Sequence, residues 1–333
     1  MGDDAARSVN HGDDSPACHP GSPPHRVPIV KSTSAIIIAA SIGSAVSSLA
    51  AISIQNFTPA TNDRFANDPA FTAGAYDWSG VGRSADGKWV TMLTPNVFIG
   101  ADHFHPGIPG SGIGTTVSFF PGNDPAASAI SGTIAGAQQL GGTDLWIGYL
   151  ASPLPGSIAT YGFATIPLTG ATFGTSAAAN QFAYLSGISP TVGAYGAFPP
   201  TNQATGTNRI EGFQQALTLD GRTGDVLLLV QNLPGDAGFL HTSYEADLND
   251  GDSGSPLMTV SGGNLVVSGI AWASGTTDID PGPGTAIRNL AVYTYTGNYA
   301  DDIQAYITAH PVPEPSALAL LAGSFLFIGR RRR

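Results

Sequence analysis

A serine flanked by glycines, preceded by an acid and followed by an apolar run, stands at Ser253 in NDGDSGSPL (249–257). Glycines let the chain turn tightly, so the hydroxyl stands clear of side-chain neighbours. The amides of Gly251 and Ser253 then point into one small space, as an oxyanion hole requires. Such a hydroxyl becomes a nucleophile when a base takes its proton. His103 offers that base, because NVFIGADHFHP (96–106) is an apolar strand that ends in small residues just before the ring. His105 is the alternative, since the role requires only reach to Ser253. The base in turn needs a carboxylate to orient its ring and stabilise its charged form. Asp144 opens GGTDLWIGYL (141–150), at the start of a strongly apolar strand where burial without a partner is costly. Each residue also has a plain structural reading: a hairpin serine, a surface histidine, a turn aspartate.

The elements that must position these residues read as all-β. Gly, Thr, Ser and Ala dominate the middle of the chain, and short apolar or alternating runs are punctuated by Gly, Pro and Asn. Strands are predicted over 88–94 (KWVTMLT), 115–120 (TTVSFF), 144–150 (DLWIGYL), 182–188 (FAYLSGI), 225–231 (DVLLLVQ) and 264–273 (NLVVSGIAWA). Helical periodicity appears only in ADDIQAYITAH (300–310), where Ile303, Tyr306 and Ile307 share a face. No repeat of fixed period is present. On pattern alone a sandwich, a jelly roll and a double barrel all remain open.

The order His103, Asp144, Ser253, each in its local context, resembles the chymotrypsin-like (trypsin-like) serine peptidase family. FIGADHF (98–104) is similar to that family's small-Ala-x-His box, TDLWIGYL (143–150) to its aspartate strand and NDGDSGSPL to its serine box. VSGIAWASG (267–275) is similar to the strand that pairs with a peptide substrate. The resemblance implies two packed antiparallel β-barrels with a short C-terminal helix and no cofactor. It implies His103 as base and then acid, Asp144 as orienter, Ser253 as nucleophile, and Gly251 with Ser253 as oxyanion donors. The small residues before His103 match the box and favour it over His105. Asp247 would lie at the floor of the primary pocket and favour a basic side chain, with Trp272 and Ala273 on the wall. The methyl of Ala273, where trypsin-like members usually have Gly, narrows that entrance. Phe104 follows the histidine in place of the family's Cys. No Arg or Lys followed by Ile-Val-Gly-Gly marks an activation cut, so the partner of Asp252, which in the family is a new N-terminal amine, is left open.

Both ends read as processing segments. Lys31 is followed by STSAIIIAASIGSAVSSLAA (32–51), an uncharged run suited to an export signal, with cleavage expected near residues 50–53. At the other end VPEPSALALLAGSFLFIGRRRR (312–333) sets a Pro-Glu-Pro triplet, an apolar stretch and four arginines in order. It resembles the PEP-CTERM sorting signal of Gram-negative bacteria that carry an exosortase. By that resemblance Ser316 to Gly329 is a transient membrane hold cut near 313–315, and the destination is the cell surface, outer membrane or extracellular matrix. The expected organisation is a leader over 1–53, a peptidase domain over 54–311, monomeric, and a sorting signal over 312–333.

Of 333 residues, Cys18 is the only cysteine and precedes the export signal, so the domain has neither disulfides nor thiol chemistry. The net charge is −11; seven cations (Arg7, Arg26, Lys31 and Arg330 to Arg333) but only five acids (Asp3, Asp4, Asp13, Asp14 and Glu314) lie outside the domain, which is therefore more acidic, at 6 − 19 = −13. Such a surface argues against a nucleic-acid partner. Two acid-rich runs, DLNDGD (247–252) and TTDIDPG (276–282), superficially resemble calcium loops, but the first lacks a terminal Glu at the required spacing. Three functions fit: a peptidase acting on peptide or protein substrates, a catalytically silent binding protein on the same fold, and a β-rich adhesin with a chance Gly-Asp-Ser-Gly turn.

Overall fold

The computed structural model describes residues 51–170, 178–191, 199–236, 241–278 and 287–312. The export signal up to Ala50 and the sorting tail from Pro313 onward, with its expected membrane hold, lie outside the described residues. Among the described residues no helix is long and apolar enough to cross a membrane.

The described chain is built on strands and forms two barrels. After a two-residue strand β1 (Ser53–Ile54), six strands close the first barrel: β2 (Val81–Ser84), β3 (Trp89–Met92), β4 (Val97–Ala101), β5 (Thr116–Phe119), β6 (Ile130–Gln139) and β7 (Leu145–Leu150). They pair antiparallel in the order β2-β3-β4-β7-β6-β5, and β5 returns to β2. The second half contains β8 (Gly162–Phe163), β9 (Phe182–Gly187), β10 (Ala204–Arg209), β11 (Gly212–Leu219), β12 (Arg222–Val230), β13 (Ala246–Asp247), β14 (Pro256–Ser261), β15 (Asn264–Asp278) and β16 (Ile287–Tyr295). Its sheet runs β10-β9-β14-β15-β16-β12-β11. The end strands of that path, β10 and β11, are separated only by Ile210 and Glu211. At this bend Ile210 bonds back to Gln181 while the Glu211 amide donates to Leu228 O. One bent strand thus joins the two edges of the sheet, and the second barrel closes through it.

Period-two alternation explains why four strands lie where the barrels meet. On β4, Phe98 points into the first barrel with Met92, Phe119, Trp146 and Leu150, while Val97, Ile99 and Ala101 point the other way. On β7, Trp146 and Leu150 face inward while Leu145 and Ile147 face outward. Those outward side chains meet Met258 of β14 and Val267 and Ile270 of β15 in a core between the barrels, which also takes Ile303 and Tyr306 of the C-terminal helix (Ala300–Ala309). Leu257 and Ala271 fill the second barrel with Leu185, Leu227, Leu229 and Tyr293. A strand buried on both faces reads as a continuous apolar run, which is what VFIGA and LWIGYL show.

The folded part begins upstream of position 54. Ile52 is buried, its amide donates to Ile188 O (3.0 Å), and β1 pairs with β13 with Ser53 opposite Asp247.

Polar groups hold part of the second barrel. Asn208, fully buried, donates to Val230 O (3.0 Å) and Ala246 O (2.9 Å), tying β10 to β12 and β13. The Asn232 amide donates to the carboxyls of both Glu211 and Glu245, two buried acids on one donor. Burial, with Glu245 nearby, pushes Glu211 from its ordinary 4.5 up to about 8. The folded protein therefore holds a proton that the unfolded chain releases above about 4.5, so stability falls as pH rises through that window towards 8. Glu211→Gln keeps the shape and removes the titration. The variant is expected to melt roughly 5 °C above the wild type at pH 8.5, with the gap closing near pH 5, as read by thermal unfolding across pH. Parallel melting curves for the two proteins would remove the assignment.

Candidate active site

The barrel register explains how a histidine and an aspartate 41 positions apart meet. Strands β4 and β7 are antiparallel with Ala101 opposite Leu145, so the residues just after β4 and just before β7 share one rim of the first barrel. There the Asp102 amide donates to Asp144 O (2.8 Å) and the His103 amide to Asp144 Oδ1 (3.0 Å). His103 Nδ1 lies 2.7 Å from Asp144 Oδ2 and 2.9 Å from Oδ1. The carboxylate thus holds His103 by both backbone and ring, which fixes the ring's rotation and leaves Nε2 pointing away. Asp144 is fully buried while the His103 side chain keeps a quarter of its surface exposed. Burial pushes the Asp144 carboxyl up, and the bonds from His103 together with the Arg222 charge pull it back.

His105, the alternative base, is buried, stacks on Trp146 (ring centroids 4.6 Å apart) and bonds through Nδ1 to Pro106 O. Its place in the core removes it from the rim.

The serine turn connects β13 to β14 and docks on the first barrel. Gly251 and Gly254 take φ of +100° and +86°, backbone that other residues adopt only with strain. Trp89 Nε1 donates to Gly251 O (3.1 Å). A methyl built on Gly254 would lie 3.4 Å from Ala101 N and 3.7 Å from the Trp89 Cβ, so the turn is seated against the end of β4, two residues before His103. The Gly254 amide is held by Ala271 O and the Ser255 amide by Asp252 O. Among the described residues the amides of Gly251 and Ser253 donate to no protein group, and the half-buried Ser253 hydroxyl has no hydrogen-bond partner.

Asp252 is wholly buried, and its two oxygens accept the amides of Ile188 (2.7 Å) and Asn249 (2.9 Å). Those backbone donors answer the question left by the sequence. Burial pushes this carboxyl up to about 8, against the pull of the two amides and of Arg83. The site is tight: a methyl on Gly187 would come within 2.6 Å of both Asp252 Oδ1 and the Ile52 Cβ.

The three residues expected around a specificity pocket sit in different surroundings. Asp247 is 3 % exposed, its Oδ1 has no hydrogen-bond partner among the described residues, and burial pushes it to about 7. Trp272, the extra residue at a bulge between Ala271 and Ala273, packs with Ala273 over Val226, Leu228, Leu290 and Val292. Among the described residues no group of three or more His, Cys, Asp or Glu is placed to hold a metal ion. Most of the second acid-rich run, from residue 279, lies outside the described residues.

The sequence reading did not single out Arg222. From the start of β12, its Nε lies 2.8 Å from Asp102 Oδ2 and 3.4 Å from Asp144 Oδ1. A lone arginine at a hairpin carries no sequence signal for such a contact.

No curated protein matches the chain. Among solved structures, a mutant of human heparin binding protein is similar at 16 % identity over 72 % of this chain and 95 % of its own, with a TM-score of 0.45. An inactive mutant of the murine norovirus NS6 protease, extended at its C-terminus, is similar at 16 % identity over 66 % of this chain and 97 % of its own, with a TM-score of 0.36. At the C-terminus residues 311–333 match the PEP-CTERM protein-sorting motif, a signal that implies export, surface sorting in bacteria and handling by exosortase-type machinery.

Proposed function

We propose that this protein is an exported serine endopeptidase. The observation that carries the reading is the pair of bonds from Asp144 to the ring and amide of His103, on the rim against which the Ser253 turn is seated. With Nδ1 donating to Asp144, the free Nε2 is the basic nitrogen. It takes the Ser253 proton as Oγ attacks the carbonyl carbon of a peptide bond, and the carbonyl oxygen becomes an oxyanion facing the unused amides of Gly251 and Ser253. Collapse of this adduct breaks the C–N bond as His103 passes the proton to the leaving amine. Water, deprotonated by His103, then hydrolyses the acyl-enzyme and restores Ser253. A bare amide pair and an unpartnered hydroxyl suit this cycle, since neither must break a bond within the protein first.

Burial of Ile52 in the fold supports removal of the export signal before that residue, and the reading puts release from the C-terminal hold at the sorting motif. A basic side chain at the cleaved position is part of the proposal only if Asp247 becomes uncovered on binding, because its carboxyl is otherwise enclosed. Cleavage of a peptide library by the exported protein measures that preference.

One observation favours a second reading. No hydrogen bond joins His103 to Ser253, as in a fold kept for binding alone, although such bonds are often long before substrate arrives. A fluorophosphonate probe separates the two. Covalent labelling at Ser253, lost on denaturation, supports the peptidase; a folded protein that stays unlabelled and leaves casein intact supports the silent binding protein.

A further inference from the structure

The hairpin between β11 and β12 turns through Asp220 (φ +52°) and Gly221 (φ +75°), and its tip leaves the second barrel to touch the first. Two contacts fix it there. The Thr223 amide donates to Gly142 O (3.3 Å), beside the start of β7, and Arg222 reaches the rim that carries His103. Its Nε and terminal nitrogen lie 2.8 Å and 2.7 Å from the same oxygen of Asp102, and Nε also lies 3.4 Å from Asp144 Oδ1. Both carboxylates therefore share one guanidinium whose own backbone belongs to the other barrel.

The charges around His103 show what this does. Asp144 meets the ring from β7, Asp102 precedes it on its own turn, and Arg222 faces both from β12. Beyond the neighbouring Phe104 ring, Lys88 lies with Nζ 3.1 Å from the centroid, near Asp86, and Asp252 is buried under the serine turn beside Arg83. An imidazolium at position 103 is stabilised by Asp144 and by any unpaired charge on Asp102. The guanidinium satisfies Asp102 outright and takes a share of Asp144, so it weakens the hold of both on a protonated ring. It adds a cation 3.4 Å from Asp144 Oδ1, the oxygen that also accepts the His103 amide.

We propose that Arg222 is a positioning residue of the His103–Asp144 pair: from the opposite barrel it pins the two carboxylates beside His103 and sets its own positive charge against theirs. The inference rests on the peptidase reading for its catalytic meaning, but its electrostatic content concerns His103 alone. Arg222→Gln leaves Asp144 and Asp102 without their shared cation, and the His103 titration is expected to rise by about one pH unit. Arg222→Lys keeps the charge and is expected to stay within a few tenths of the wild type. Adding Asp102→Asn to Arg222→Gln removes the orphaned carboxylate and is expected to bring most of the shift back.

The measurement is an NMR pH titration of the His103 ring in the exported protein, paired with the acid limb of kcat/KM on a peptide substrate. Parallel shifts of ring titration and acid limb support the proposal. An unchanged titration in a folded Arg222→Gln protein overturns it, as does a loss of kcat at every pH without movement of the limb. If Arg222→Gln fails to fold, Asp102→Asn alone decides: a titration lowered by a few tenths supports the shared-charge account, and an unmoved one overturns it. If instead Ser253 takes no fluorophosphonate, the peptidase reading falls while the ring titration still tests Arg222.

Discussion

Ser253→Ala is expected to lower kcat for peptide hydrolysis by about 10⁶-fold and to abolish fluorophosphonate labelling. The size of the effect follows from what the substitution leaves in place. The amides of Gly251 and Ser253 remain, so substrate binding and oxyanion stabilisation persist, and a residual acceleration of about 10³ to 10⁴ over water is expected. The fold is not at stake. The hydroxyl is half-buried and bonded to nothing, so its removal orphans no partner, and the variant is expected to melt within about 1 °C of the wild type. A clean variant that hydrolyses casein at the wild-type rate would falsify the assignment of the nucleophile.

The second large effect is expected at Asp144. Asparagine fits the same buried space and retains an oxygen for the His103 amide, but it presents an NH₂ group to Nδ1. The ring must then accept at Nδ1 and carry its proton on Nε2, the nitrogen that should receive the Ser253 proton. Geometry survives and the tautomer is wrong, so kcat is expected to fall by about 10⁴-fold with little change in KM. Steady-state kinetics over a pH series check this. A loss under tenfold at neutral pH would show that His103 does not act through Asp144.

Much of this was legible in the chain, for reasons that differ from residue to residue. LWIGYL and VFIGA were readable because strands buried on both faces must be apolar throughout. The helix at 300–309 was readable because Ile303 and Tyr306 recur on one face. β10 was not, because ATGTNR has no hydrophobic pattern and yet is buried along most of its length. Its interior polar groups are satisfied by distant partners, Thr207 by Thr242 and Asn208 by Val230 and Ala246, and such pairings cannot be read from a local window. β16 was overlooked although LAVYTY is apolar enough, since it abuts a Gly/Pro-rich stretch that reads as loop.

The site divides in the same way. The pairing of His103 with Asp144 was readable from short local contexts, which also singled out Ser253, while the partners of Asp252 were hidden because they are backbone amides, which any residue carries. Asp247 shows the limit of reading a role from spacing. Its position suggested the floor of a pocket for a cation, whereas β1 pairs alongside it and the residue is buried. Arg222 was invisible for want of any local pattern, since its significance lies wholly in which barrel it reaches.

The contiguity of the two barrels has a consequence for the life of the molecule. The first closes within residues 81–150 and the main sheet of the second within 182–295, and among the described strands β1 and β8 must wait for distant partners, β13 and β15. On the peptidase reading, a chain threaded outward from its N-terminus therefore finishes the half that holds the proposed base and its orienter while the proposed nucleophile is still on the inner side. The second half arrives with a serine that has no base until the barrels dock. Neither half-built intermediate has a complete set of reacting groups, and cutting is expected to begin only when little more than the last helix and the sorting tail remains to cross. On the peptidase reading, the order of the strands therefore keeps the reacting groups apart until most of the chain has crossed.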